Sequence, residues 1–143
     1  MLFAGESRDA LRRRYVEAWR RRREGLPLEP LDAAIADVVE LHPEYQALLS
    51  NPAGLDAAYT VEAGRTNPFL HMGLHLALRE QLATRRPEGI AQVHASLVGH
   101  LGDGHEAEHR MIEVLAETLW EAQRAGRPPD EAVYLERLRR LLR

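Results

Sequence analysis

No cysteine and no lysine occur among the 143 residues. Without cysteine there is no disulfide framework, no thiolate zinc site and no cysteine nucleophile. The missing lysine leaves 19 arginines as the whole basic complement, a bias we assign to genomic base composition rather than to function. No apolar run approaches the length of a membrane-spanning helix, and the N-terminal MLFAGESRDALRRR lacks the apolar segment of a secretory signal. These features predict a cytoplasmic protein with no membrane partner. There is no glycine-rich phosphate loop, and the order of residues argues for no Ser/His/Asp arrangement. A net charge of −3 and a pI near 6.2 argue against a nucleic-acid footprint. The remaining composition, 45% hydrophobic and 29% charged, is that of an ordinary globular chain whose length suits one domain with one core.

Periodicity reads as helix throughout. Leu11, Tyr15 and Trp19 repeat every four residues in a first helix running to about Glu24, with Ser7 or Asp9 as its cap and Gly25 as its stop. A second helix spans about Pro30 to Leu41, with Leu31, Ile35, Val38 and Val39 on one face. Pro43 disfavours a helical His42, so the chain breaks there and restarts as PEYQALLS. Residues 51–66 show little periodicity and read as a long connection. Asn67-Pro68 starts a helix that ends near Arg85, and Pro87 opens another that ends near Leu101-Gly102. Asp103 caps the longest helix, His105 to Ala125, and Gly126 closes it. A last helix follows PPD, with Tyr134, Leu138, Leu141 and Leu142 facing inward. No stretch reads as strand. The prediction is an all-α, compact bundle of about six helices in a single domain over 1–143, comprising N-terminal helices at 8–50, the connection at 51–66, and C-terminal helices at 67–142. Amphipathic helices this rich in leucine are compatible with a homo-oligomer.

Two histidine pairs carry the chemical signal: His71/His75 in NPFLHMGLHLALREQ and His105/His109 in GDGHEAEHRMIEVLAE. A spacing of four sets both rings of a pair on one helix face, one turn apart, as two ligands of one ion require. Seven histidines placed at random in this length would give roughly 0.3 such pairs. Short turns make neighbouring helices antiparallel, so the helices carrying the two pairs run in the same direction with their starts at one end. Both pairs fall in the first two turns, which sets them at similar depth, and His100 ends the helix between them. Glu106 and His109 form the Glu-x-x-His unit of di-metal bundles, and Glu113 continues that line. The expected metal ligands are therefore His71, His75, His105 and His109, with Glu106 and Glu113 as carboxylate ligands or supports. Zinc, iron or manganese, and equally copper or nickel, suit such a set, and iron or manganese would bring non-haem redox chemistry. A hydrogen-bonded histidine cluster with no ion explains the same spacing.

Two other readings compete. His105-Glu-Ala-Glu-His109 satisfies H-E-x-x-H, in which the first glutamate activates a zinc-bound water. Ile112 occupies the glycine position of the longer metzincin motif, and no third histidine follows. The arginines of the first helix (Arg12, Arg13, Arg14 and Arg20 to Arg23) or the 51–66 connection offer a surface to a protein partner. A solvated face opposite the Leu11/Tyr15/Trp19 stripe accounts for those arginines more simply. His94 reads as a surface residue, and a capping role at the break accounts for His42.

Three segments together, HPEYQALL at 42–49, TNPFLHMGLHLALREQ at 66–81 and GDGHEAEHRMIEVLAETLWEAQ at 102–123, resemble the proteobacterial domain-of-unknown-function family 1841. The similarity extends over nearly the whole chain to the closing YLERLRR, and the pairing of NPFLHMGLH with HEAEH is its specific part. The family pattern often sets a further histidine after HPEY, where this chain has Gln46, which weakens the case for a ligand beside His42. The resemblance implies an all-α fold and a bacterial cytosolic setting, and it carries no reaction.

Overall fold

The computed structural model describes residues 8–50 and 67–143. Seven helices and no strand occur among them: α1 (Arg8–Arg23), α2 (Pro30–Glu40), α3 (Pro43–Leu49), α4 (Pro68–Thr84), α5 (Ile90–Leu101), α6 (Gly104–Ala125) and α7 (Glu131–Arg140). None is long and apolar enough to cross a membrane. The chain packs as two compact units, Met1–Leu76 and Ala77–Arg143, so the division falls inside α4 rather than in the 51–66 connection. That connection and Ser7 lie outside the described residues.

The first unit is built by α1, α2, α3 and the opening turns of α4. Its core contains Tyr15, Ala18 and Trp19 from α1, Ile35, Val38 and Val39 from α2, Leu49 from α3, and Phe69, Met72 and Leu76 from α4. Burying each of the larger aliphatic side chains among them contributes about 1.5–3 kcal/mol. The expected stripes are thus the packed ones, although Leu11 and Leu31 are only half-buried. Arginines on α1 tie it to α2: Arg14 pairs with Asp32 at 3.0 Å, and Arg22 with Asp37 at 2.9 Å and Glu40 at 3.3 Å. Arg20 spans Glu17 and Glu24 along the exposed surface of the helix. Arg12 departs from the solvated-face expectation. It is buried, with its guanidinium stacked 4.8 Å from the Phe69 ring centroid. Position 12 lies on the same face as Tyr15 and Trp19, three and seven residues on, so the helix turn carries it inward.

In the second unit α5, α6 and α7 pack on one another, and the chain's punctuation explains their ends. Asp103 accepts from the backbone N–H groups of His105 and Glu106, Asp130 does the same for Ala132 and Val133, and Gly126 closes α6 at φ +67°. Helix α5 starts at Ile90, not at Pro87. Gly89, at φ +101°, holds a turn ahead of it that a side chain would strain. Side-chain links fasten α7: the Tyr134 hydroxyl donates to Gln81 Oε1 on α4 at 2.7 Å, and Arg137 pairs with Glu121 at 2.7 Å and donates to the Thr118 hydroxyl on α6. Tyr134 and Leu138 are buried as the pattern predicts, whereas Leu141 and Leu142 fall beyond the helix end and are half-buried.

Candidate metal centre

Local chain chemistry places three imidazoles together in the first unit. Asn67 Oδ1 accepts from the backbone N–H groups of Phe69 and Leu70 at 3.0 and 3.1 Å, and Pro68 opens α4. This start puts His71 and His75 in the first two turns, on one face. Pro43 forces His42 out of helical conformation, to φ −126° and ψ 72°, between the end of α2 and the start of α3. Here the side chain turns back and inward. His42 makes no side-chain cap for α3 and is only 1% exposed; its capping role is at the other side of the break, on the last turn of α2.

One ring nitrogen from each of His42, His71 and His75 lies within 4.8 Å of the others'. The rings meet edge-on: centroids are 5.1 Å apart for His42 and His71, 4.7 Å for His42 and His75, and 4.8 Å for His71 and His75. His75 Nε2 and His71 Nε2 are 3.2 Å apart. Two nitrogens bound tetrahedrally to one zinc ion are separated by about 3.3 Å, given bonds of ~2.0–2.1 Å. The same distance serves a ring-to-ring hydrogen bond when one Nε2 carries the proton and the other the lone pair.

His42 Nδ1 lies 2.7 Å from the backbone carbonyl of Val38. A carbonyl only accepts, so Nδ1 carries a proton, and the neutral form of the ring has its lone pair on Nε2. The acceptor belongs to the last turn of α2, the negative end of that helix, which strengthens the donation. Metal-binding imidazoles commonly make this type of contact with the nitrogen that does not bind. Tyr45, in the first turn of α3, stacks on His42 with centroids 5.4 Å apart and planes at 13°, and meets His71 edge-on at 6.1 Å. Burial pushes the Tyr45 phenol up from its ordinary range, and the nearby Glu44 carboxylate pushes it further.

The other predicted residues lie on α6 in the second unit. His105 and His109 are half-buried and face each other at 4.1 Å between centroids. Glu106 is exposed and accepts from Arg110 Nε at 3.2 Å, and Glu113 is exposed as well. The buried carboxylate of HEAEH is the other one. Glu108 accepts from Arg79 Nε at 2.8 Å and from Arg79 Nη2 at 3.3 Å. The sequence carried that signal: Glu108, Met111, Ile112 and Leu115 follow the i, i+3, i+4, i+7 pattern of the buried stripe. Glu106, Arg110, Glu113 and Glu117 form the exposed one. His100 is exposed at the end of α5.

The model of a domain-of-unknown-function family, DUF1841, matches residues 7–140. The chain belongs to the DUF1841 family. The match takes in all three histidines of the first unit and both on α6, so the candidate centre is part of the family domain. No curated protein and no solved structure is detectably similar to the chain.

Proposed function

We propose that this DUF1841 protein binds a transition-metal ion through His42, His71 and His75, and the observation carrying this is their mutual approach within 4.8 Å. The donor chemistry supports it. Two of the rings are almost fully buried, and burial of several imidazoles in one place is favourable when each nitrogen has a partner. Zinc, copper, nickel and iron suit a nitrogen donor set, whereas manganese, which prefers oxygen ligands, suits it less. His109 is our fourth ligand on the sequence argument that the helices carrying the two pairs run parallel from one end. His105, Glu106 and Glu113 stand behind it as ligands or supports. An ion held by three or four neutral imidazoles with a position left for solvent has the means for non-haem redox chemistry if it is iron or copper.

The test is metal content per chain in protein prepared without a histidine tag or chelator, then reconstituted with zinc, copper, nickel and iron in turn. We expect one ion per chain, lost in both His42→Ala and His75→Ala and weakened in His109→Ala. A protein that stays metal-free after reconstitution refutes the reading. Full occupancy in His42→Ala would refute the ligand set and return the site to the two helical pairs alone.

A further inference from the structure

We propose that Tyr45 is the gate of this metal centre: its ring covers the ion and holds the His42 and His71 rings in their ligating orientation. The inference rests on the metal reading above and assigns the route of entry and release. His42 and His75 are 1% and 0% exposed, whereas Tyr45 and His71 are partly open to solvent. The two side chains that solvent reaches therefore lie side by side, with Tyr45 meeting His71 edge-on. Tyr45 lies flat against His42, the one ligand that no helix periodicity orients. Flat stacking on His42 and edge contact with His71, whose own rings touch each other, leave the two imidazoles little freedom to rotate.

The supporting frame is held by contacts that do not involve the Tyr45 ring. The Gln46 amide donates to the carbonyls of Val39 and Glu40, which holds the start of α3 against the end of α2. Rotation about the Tyr45 side-chain bonds therefore opens the centre without unwinding either helix. Glu44, the neighbour of Tyr45 in the chain, is exposed, and a carboxylate there favours the approach of a cation.

The experiment follows release of zinc from the reconstituted full chain into an excess of a chromogenic chelator by stopped flow. Tyr45→Ala should release zinc at least tenfold faster than wild type, and Tyr45→Phe should match wild type, because the flat ring and not the hydroxyl does the covering. Tyr45→Leu keeps apolar bulk on the core while removing the flat ring, and it should also release faster; it stands in for Tyr45→Ala if that variant does not fold. Release at the wild-type rate in Tyr45→Ala or Tyr45→Leu overturns the gate and leaves the metal site standing. A Tyr45→Phe variant as fast as Tyr45→Ala also overturns it, since the hydroxyl would then be the group that matters. Wild-type protein that takes up no zinc, copper, nickel or iron overturns the metal reading and the gate together.

Discussion

The pairs His71/His75 and His105/His109 share a spacing and a position in the first turns of a helix, yet their surroundings differ in kind. On α4 the neighbour is another histidine, His42, brought in from the break between α2 and α3. On α6 the carboxylates interleaved with the pair go to arginines: Glu106 to Arg110 on the surface, and Glu108 to Arg79 in a largely buried fork. Identical spacing thus states only that two rings share a face. What turns such a pair into a cluster that could hold an ion is a third group, and on α4 that comes from a segment the helix period does not govern. In the α6 motif the period does decide which glutamate turns inward, and it selects Glu108 over Glu106.

The contrast breaks most sharply at His75. Replacing it with alanine should reduce metal affinity by ~100-fold or more, because a lost ligand is felt at least as strongly as a lost supporting contact. Titration with a competing chelator checks this, and the same change at His105 should cost far less. Acidification offers a milder form of the same attack. Each imidazole binds as the neutral ring, so lowering the pH should release the ion with uptake of protons, measurable as metal in the filtrate across a pH series.

Next in size is the buried ion pair. Glu108→Ala leaves the Arg79 guanidinium without its carboxylate and should destabilise the fold by about 3 kcal/mol, read from urea unfolding. We take the low end of the range for buried pairs because Arg79 keeps 32% of its side chain in water, against 10% for Glu108. A double exchange to Arg79→Met with Glu108→Leu should recover most of that loss. Failure to recover it would mean that the pair contributes more than charge compensation.

The two units should respond to alkali in the same direction. Burial raises the phenols of Tyr15 in the first unit and Tyr134 in the second well above their ordinary value. A group raised on folding stabilises fully below its unfolded value, near ~10 for tyrosine, and loses that contribution as the pH climbs further. Melting temperature should therefore hold to about pH 10 and then fall. The fall should shrink in Tyr15→Phe and in Tyr134→Phe. Smallest of all is Glu106→Ala, which removes an exposed pair and should move stability by less than about 0.5 kcal/mol. Of the two roles proposed for Glu106, a support predicts that metal content stays nearly unchanged; loss of the ion would make it a ligand.

Helix content, caps and buried stripes were legible in the chain because each depends on neighbours within four residues. Asn67-Pro68, Asp103, Gly126 and Asp130 mark boundaries by satisfying or releasing backbone groups locally, and they do so where the pattern placed them. The i, i+4 pairs were legible for the same reason. Arg12 and Glu108 were also within reach of that rule, since both lie on buried stripes, but their charge hid them until burial and a partner ring or ion pair were visible. His42 belongs to the other class. The sequence determined that the chain must break at His42-Pro43, through the clash a proline imposes on the residue before it. Only the packing of α2 and α3 with the start of α4 decided that the imbalance created there would send the ring to His71 and His75, 29 and 33 residues further on. Contacts over that distance are set by which faces bury together, a property of the folded core that no short window of sequence contains.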